Sequence, residues 1–550
     1  MKRLLIQRLI VLCLVVLVCS GCPVMEAAPT IPASGIVRLD TPIAQLNYEV
    51  KKIHIYTRHG DPITSIVPEV IYLPAPVPTP GNPAPMPLVD YINWKLDINA
   101  PAGSFITLWV EFLDPLTQTV YFGQAQGDIL TPGNLYEWKI TGLYVPIFSQ
   151  KELALIGKDL RFLASGKYVL VSDIQLTNTW TPICNTLPAF TGTFDGNERT
   201  ISGLKFNADD SIYVGLFGRA DNASFKNLSI VLDGALQNLG APHTQHYGGL
   251  VGYALDTEIT RVSVMHDSQG GNTPLHIAKS GGTEFNIGGI VGSLAGTVSK
   301  ITQSSFHAPL SITIVFDSSQ LLIDAGGVVG KAGGRTLSGS TAGDIVVFSM
   351  MQCYAAYDIG VSVFGMPPST DVCTVRVGGL VGGATNQTSR SSVRIEESYF
   401  GGNISVQSAG IGAVGGIFGG GASALSATNS ILTILRSVSF ANMVDVAFGT
   451  STNVCGVDRI AGQLITTPAL PGVTNRNFAL VPVSYNGIVP PGTIPTPTGG
   501  LEYGSGSDQD RAMVTGVWFS NQGMYGGLDW DFNSVWVWDG TKGRPVFQWQ

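Results

Sequence analysis

The chain is poor in charge. Lys, Arg, Asp and Glu make up 13% of its 550 residues, with 31 basic against 39 acidic side chains and a formal net charge of −8. Charge this sparse excludes a disordered polyelectrolyte. Its sign disfavours phosphate backbones and anionic lipid head groups, so no nucleic-acid partner is expected. Cysteine is scarce too: there are seven, and among the five from Cys22 onward no two stand at C-x-x-C spacing, which argues against zinc. No apolar run reaches the roughly 20 residues that a membrane helix needs. The chain has no H-E-x-x-H, no G-x-S-x-G elbow, no G-x-x-x-x-G-K-[ST] loop and no EF-hand loop. These gaps remove familiar signatures of zinc peptidases, serine hydrolases, P-loop enzymes and calcium sensors. No metal and no cofactor is expected.

Glycine, in contrast, is abundant, with 67 residues, and much of it is ordered into one phrase. The phrase reads Val214-Gly-Leu-Phe-Gly218, Gly248-Gly-Leu-Val-Gly252, Gly288-Gly-Ile-Val-Gly292, Gly326-Gly-Val-Val-Gly330, Gly378-Gly-Leu-Val-Gly382 and Gly415-Gly-Ile-Phe-Gly419. Successive copies are 34, 40, 38, 52 and 37 residues apart. A constant phrase with elastic spacing predicts fixed strands and variable loops in a solenoid, each copy burying its apolar side only by stacking on neighbours. Alternation along a strand would point the two apolar residues opposite ways, with the glycines allowing close backbone approach and a sharp corner. A second element follows the phrase, as Ile301-Thr-Gln-Ser-Ser-Phe306 and Ile395-Glu-Glu-Ser-Tyr-Phe400, with a weaker copy at Leu435-Arg-Ser-Val-Ser-Phe440. Two or three short strands per repeat are therefore expected.

The first residues have the pattern of an export signal. Lys2, Arg3 and Arg8 precede an apolar stretch from Leu9 to Val18, followed by Cys19-Ser20-Gly21-Cys22. Small residues before a cysteine resemble the bacterial lipobox, with Cys19 where a leucine is usual. The alternative is an ordinary secretory signal cleaved near Ala27-Ala28. The lipobox reading implies removal of residues 1–21, lipid on the Cys22 sulfur and a tether from 22 to 35. Losing the leader's three cations takes the net charge from −8 to −11. Four cysteines would then remain unlipidated, Cys184, Cys353, Cys373 and Cys455, with three pairings open. Cys353 and Cys373 are the candidate disulfide, and four buried free thiols are the alternative.

Residues 36–146 lack the glycine phrase. Runs such as Glu49–Tyr56, Ile92–Ile98, Phe105–Phe112 and Tyr136–Ile140 alternate as strands do, and the proline-rich stretch Pro74–Pro87 predicts an extended loop. A small β-sandwich-like domain fits this pattern. A short linking segment near Lys151–Leu163 leads to Tyr168-Val-Leu-Val-Ser-Asp-Ile-Gln-Leu176, Trp180-Thr-Pro-Ile183 and Phe190-Thr-Gly-Thr-Phe-Asp-Gly-Asn197. The Asp195-Gly196 pair reads as a tight turn.

This lead-in, the glycine array and the ending Trp530-Asp-Phe…Val535-Trp536…Gly543-Arg-Pro-Val-Phe-Gln-Trp549 together resemble the GLUG-motif family of bacterial cell-surface proteins, over residues 155–550. The resemblance implies a right-handed parallel β-helix, often part of an adhesin or a surface stalk. Some relatives carry the array beside a zinc endopeptidase, but this chain lacks that motif.

Several constellations invite a chemical reading. Arg58-His59-Gly60-Asp61-Pro62 resembles the histidine acid phosphatase signature, and His266-Asp267 its distal acid pair. Pro62 replaces the second arginine, and a turn ending a strand accounts for the stretch better. His243 and His246 offer two metal ligands, too few for a structural site. The acidic pairs Asp209-Asp210, Glu396-Glu397 and Asp529/Asp531 read as solvated turns unless they converge in space. Trp518, Phe519, Tyr525, Trp530, Phe532, Trp536, Trp538, Phe547 and Trp549 could form a sugar platform, but capping the solenoid's last coil is the favoured reading.

The expectation is thus an all-β chain: signal peptide 1–21, tether 22–35, β-sandwich-like domain 36–146, and a GLUG-type parallel β-helix 155–550 with a C-terminal aromatic cap. The expected function is a non-enzymatic adhesin or ligand-binding scaffold in the bacterial cell envelope, at the outer membrane or cell surface. Its partners would be the membrane, through the lipid, and a host or glycan ligand. A polysaccharide lyase or hydrolase on a β-helix is the alternative. An outer-membrane β-barrel fits poorly, since strand alternation is irregular and Gln550 is not aromatic.

Overall fold

The computed structural model describes residues 34–40, 52–57, 95–101, 105–113, 119–129, 134–139, 143–159, 162–206, 211–233, 236–238, 244–266, 275–280, 283–316, 320–333, 346–365, 373–384, 391–408, 410–421, 431–439, 441–443, 456–458, 460–463, 473–475, 478–480, 513–514 and 529–550. Nearly all regular structure among them is β. The linking segment supplies a single helical turn, Gln150–Leu153, where Ser149 Oγ accepts from the Glu152 N–H and the Glu152 carboxylate accepts from the Phe148 N–H. The chain forms two compact units, Met1–Tyr144 and Val145–Gln550.

In the first unit, strand Ser34–Asp40 pairs antiparallel with Lys95–Pro101 and parallel with Leu135–Lys139. A second sheet runs antiparallel through Lys52–Thr57, Phe105–Leu113 and Thr119–Ile129, with Phe122 and Gly123 paired to Tyr144 and Leu143. The alternating runs do form strands. The proline-rich loop and the packing that would make a sandwich lie outside the described residues.

The second unit is a parallel β-solenoid. Its first sheet stacks Tyr213–Val214, Thr244–Gly248, Glu284–Gly288, Leu321–Gly326, Cys373–Gly378, Ile411–Gly415 and Gly456–Asp458. The second stacks the strands that open on the last apolar residue of each phrase, Phe217–Asp221, Val251–Leu255, Val291–Ala295, Val329–Ala332, Val381–Ala384, Phe418–Gly421 and Ala461–Gln463. A third sheet starts from Lys167–Leu170, Thr193–Leu204, Ser224–Leu232 and Glu258–His266. It continues as broken strands such as Ser299–Thr302 with Ser305–His307 and Ser391–Glu396 with Tyr399–Phe400. A fourth runs from Leu236–Asn238 through Leu275–Ser280, Leu310–Val315, Ile359–Phe364 and Asn403–Gln407 to Asn442–Met443. Each complete coil therefore contributes to four sheets, more than the two or three strands expected. A seventh, degenerate phrase also exists. Gly415 pairs with Asp458 and Phe418 with Ala461, so Asp458 to Gly462 continues the array without its glycine pair.

Both apolar residues of the phrase are buried: Leu250, Val251, Ile290, Val291, Val328, Val329, Leu380 and Val381 are all at 0% exposure. Strand alternation does not separate them, because the chain bends at the first and starts a new strand at the second. None of the phrase glycines has a positive φ, so they are required for space. A Cβ on Gly249 would lie 2.6 Å from the Val264 side chain and 2.7 Å from the Gly289 carbonyl. On Gly289 it would overlap the Phe306 ring and the Gly327 carbonyl, and on Gly379 the Phe400 ring and the Gly416 carbonyl. The last glycine has a different neighbour. A Cβ on Gly292 would sit 2.6 Å from the Tyr247 nitrogen, on the first-sheet strand of the preceding coil.

The third sheet has its own repeating corner. Asn227, Arg261, Gln303, Gln352, Glu397 and Arg436 all adopt φ between 48° and 56°, one per coil. Their side chains bond along the stack. Arg261 Nε donates to Gln303 at 3.0 Å, Gln303 to Gln352 at 3.2 Å and Gln352 to Glu397 at 2.9 Å, while Arg436 Nη2 donates to Glu397 at 2.6 Å. The next residue is a buried serine in three coils. Ser304, Ser398 and Ser437 each accept a backbone N–H from a preceding coil and donate to the carbonyl two residues back. Cys353 fills the same position, so Met350-Met351-Gln352-Cys353-Tyr354-Ala355 is a copy that serine matching misses. The weaker copy shifts by one residue, since Ile395 pairs with Ile434 and Tyr399 with Val438.

Among the described residues, the aromatic ending covers the side of the solenoid. Phe306, Ala355 and Phe400 face the phrase glycines inside, so Ser305, Tyr354 and Tyr399 face the other way. Tyr354 and Tyr399 stack at 4.8 Å and are sealed by Trp530, Trp536 and Phe547 from the hairpin Trp536–Asp539/Arg544–Phe547. Trp530 Nε1 donates to the Arg436 carbonyl at 2.8 Å. At the other end the Gln550 amide donates to Ser305 at 2.7 Å and Ser263 at 3.3 Å. The segment thus runs back across several coils. An outward aromatic strip on a sheet has to be covered, and this tail covers it. Trp518, Phe519 and Tyr525 lie outside the described residues.

The glycine requirement is testable. Gly289→Ala will destabilise the chain by about 1–3 kcal/mol. Gly540→Ala, where an added Cβ meets nothing within 4 Å, will change stability by less than about 0.5 kcal/mol. Denaturant unfolding of the two variants measures both.

Candidate functional site

The phrase folds each coil so that side chains from the first and second sheets meet along a seam. The first sheet supplies Tyr213, His246, Asn286, Asp324 and Arg376 in register, and the second supplies Arg219, Tyr253, Ser293, Lys331 and Gly383. These residues alternate with core positions such as Tyr247 and Ile287, so they face away from the interior.

At one end the seam is filled by an ion pair. Arg376 donates to both Asp324 oxygens, at 2.5 and 2.7 Å, and to the Ala384 carbonyl at 3.3 Å. Both partners are buried, and Gly383 leaves the room, since a Cβ there would overlap the Asp324 carboxylate. Bidentate geometry and the third bond offset the desolvation of two charges. One coil back, Lys331 Nζ donates to Glu284 at 2.6 Å and Asn286 donates to the same carboxylate oxygen at 2.9 Å. Burial alone would raise the Glu284 carboxyl, but the charge and hydrogen bond of Lys331 hold it below the usual range.

His246 occupies the middle. Its Nδ1 lies 2.7 Å from Ser293 Oγ and 3.1 Å from Asn286 Nδ2. Burial is the main cause that lowers its pKa to about 4, with Lys331 adding to the shift and Glu284 opposing it. The imidazole is therefore neutral near pH 7, with Nδ1 accepting. A serine beside a histidine suggests a nucleophile, but Ser293 is buried and the amide of Asn286 shares the same ring nitrogen. A base in that position cannot take a proton from Ser293 without losing the Asn286 bond.

The other end has different chemistry. Tyr213 stacks on His246 at 5.4 Å, Tyr253 meets the His246 ring edge-on at 5.4 Å, and the Arg219 guanidinium sits 5.2 Å above the Tyr213 ring. All four residues are half-buried. Adjacent, Asn185 Nδ2 donates to Ser211 Oγ at 3.0 Å. This aromatic and cationic opening can hold a ligand with an apolar face and a negative group.

The structure scatters most residues singled out from sequence. Arg58 to Pro62, His243, Asp209, Asp210, Asp267, Cys22 and Cys455 lie outside the described residues. His246 binds Ser293 and Asn286. Both ring nitrogens of His266 are buried without a hydrogen-bond partner. Glu396 and Glu397 are buried, not solvated, and ion-paired to Arg436, with Arg394 also on Glu396. Asp531 accepts from the Asn533 and Ser534 N–H groups in a turn. Cys353 and Cys373 are free thiols in different sheets. Cys353 Sγ donates to the Met351 carbonyl at 3.4 Å in the serine position, while Cys373 lies 3.8 Å from Ser408 Oγ. Burial pushes the two thiols up to about 12 and about 11. The structure does not pair them: Cys353 Sγ faces the Met351 and Ile301 carbonyls, and Cys373 Sγ faces Ser408. Of the seam residues, sequence reading singled out only His246. The others recur at fixed offsets from the phrase, Asp324 two before its first glycine and Lys331 one after its last, and that offset was the available signal.

A polar groove of about 710 Å³ lies elsewhere on the same unit, with Lys167, Thr193, Asn222, Asp256, Glu258 and Thr297 among its lining. Asp256 there already accepts the Thr297 and Val298 N–H groups, at 2.5 and 2.8 Å.

Two measurements follow. His307, against the C-terminal tail, has its pKa lowered to about 3 by burial and by Arg544 and Lys542. Histidines depressed in the folded state bind protons preferentially when unfolded, so stability is full above about pH 6.5 and falls as pH drops toward 4. The loss by pH 4.5 is on the order of 2 kcal/mol for each of His246 and His307, and His246→Gln will flatten the slope of a pH-dependent unfolding series. Arg376→Met alone strands a buried carboxylate and will cost about 3–5 kcal/mol, whereas Asp324→Leu combined with Arg376→Met will recover most of that loss.

No family model and no curated protein matches this chain. Among solved structures, one described as a "putative immunoglobulin A1 protease from Bacteroides ovatus" is similar over 74% of this chain and 93% of its own, at 15% identity and a TM-score of 0.41. A likeness this distant assigns no activity.

Proposed function

We propose that this chain is a lipid-anchored bacterial envelope protein whose solenoid acts as a non-enzymatic scaffold for adhesion or ligand binding. One observation carries the reading. The polar side chains that run along the solenoid are used to bond coil to coil, from Arg261 through Gln303, Gln352 and Glu397 to Arg436, and again at Asp324–Arg376 and Glu284–Lys331. Carboxylates held this way are neutralised by cations and serve rigidity, whereas glycan hydrolysis needs two carboxylates facing a substrate. The surface-protein resemblance and the basic, apolar, Cys22-terminated leader support placement in the envelope. A lipid adds about 0.8 kcal/mol per buried CH₂ and would tether the protein without a spanning helix.

Producing cells fed a clickable palmitate analogue test the anchor. The full chain will take up label and sediment with membranes, and Cys22→Ala will do neither. An unlabelled full chain ends the anchor reading. Purified full chain incubated with a polysaccharide panel will release no oligosaccharide, and protease treatment of intact cells will remove it from the surface. Polysaccharide cleavage would replace the scaffold with an enzyme.

A further inference from the structure

Among the described residues the seam holds three cations, and two of them have anions. Lys331 has Glu284 and Arg376 has Asp324, each within 2.7 Å. The Arg219 guanidinium has no carboxylate and no hydrogen bond among the described residues; its Nε is buried without a partner, and its contact is the face of Tyr213. A partly desolvated guanidinium left this way carries an unmet demand for an acceptor, which cation–π attraction of about 0.5–1 kcal/mol meets only in part. The rest of the seam shows the arrangement that meets it, a carboxylate gripped by two guanidinium N–H groups, as in Asp324–Arg376.

We propose that Arg219, Tyr213 and Tyr253 form a binding site for a carboxylated sugar. The carboxylate takes the open N–H groups of Arg219, and the C–H groups of the pyranose lie against the tyrosine ring edges that Arg219 and His246 leave uncovered. Three features select this class. The site has one cation, which suits one isolated anionic group. The chain is acidic, with a net charge of −8, so a densely charged polyanion is repelled. The half-buried rings of Tyr213 and Tyr253, 5.7 Å apart, offer apolar area that a bare inorganic anion would leave unused. Asn185 and Ser211 beside the opening add the amide and hydroxyl that sugar recognition uses.

The proposal rests on the ligand-binding reading above and goes beyond it in naming residues and ligand chemistry. Its test titrates purified full chain with glucuronate, N-acetylneuraminate and a glucuronate-containing oligosaccharide, beside their methyl esters, neutral glucose oligomers, inorganic phosphate and sulfate. The acids will bind, the esters will bind at least tenfold more weakly, and phosphate and sulfate will not compete at equal concentration. Arg219→Gln will lose at least tenfold in affinity with an unchanged melting temperature, and Arg219→Lys will recover part of it. If Arg219→Gln does not fold, the wild-type contrast between acid and ester decides. Equal binding of acid and ester, unchanged affinity in folded Arg219→Gln, competition by phosphate, or no binding of any acid overturns the site. Adhesion of cells displaying the full chain is scored separately. Adhesion unaffected by Arg219→Gln defeats this site and leaves the scaffold standing, whereas polysaccharide cleavage defeats the scaffold.

Discussion

Close approach of backbones at the glycine phrase governs this molecule. Gly249, Gly327 and Gly379 each donate their N–H to a phrase carbonyl of the next coil, at 3.1 Å, and the spaces where their side chains would stand are filled by Val264, Ala355 and Phe400. The corner therefore has two tolerances, set by the adjacent coil and by the third sheet across the core. Both vanish with one methyl group. Because the last glycine of each phrase also rests on the preceding coil, an error in one coil is passed to its neighbours. The wide variation in spacing, with a step of 52 residues between the fourth and fifth copies, is harmless for the same reason: loops leave and return to a corner whose geometry is fixed.

That corner creates the seam. Folding the first sheet against the second brings two rows of outward residues into contact, and their sizes have to be complementary. Arg376 lies opposite Gly383 and beside Gly420, where an added Cβ would sit 2.8 Å from Ala413 and 3.5 Å from Arg376. Where both rows are large, at Tyr213, Arg219, His246 and Tyr253, the side chains remain half-exposed. The ligand-competent end of the seam is thus the end where packing is incomplete. The left-handed corner of the third sheet works differently. It uses non-glycine residues with φ near 50°, and the strain is offset by side chains that bond up and down the column, a role glycine could not fill.

Sequence reading recovered the solenoid because its signal is periodic and tied to a residue without a side chain. It missed the seventh copy, where Asp458 replaces the glycine, and the Cys353 copy, where a thiol stands in for serine. In both places pairing with adjacent coils keeps the backbone in register even though residue identity has changed. It also read Glu396 and Glu397 as solvated, because adjacent acids usually are. Arg436, one coil further on, lies 40 and 39 residues away, and no local pattern announces it.

Residue identity alone determined the strand class, the stacking unit and the position of the six glycine corners, since glycine spacing and apolar pairs impose them wherever the chain goes. Tertiary structure alone decided which polar residues meet. His246 reaches Ser293 over 47 residues, Asp324 reaches Arg376 over 52, and Gln550 reaches Ser263 over 287. These contacts depend on the stacking register that the corners hold across loops of different length. They also depend on the alternation that turns Tyr354 outward toward the C-terminal tail and Phe306 inward toward glycine. Among the described residues Arg219 is left without an anion by the same register, because its own coil and the next place aromatic rings beside it, while the coils carrying Glu284 and Asp324 lie further along the stack.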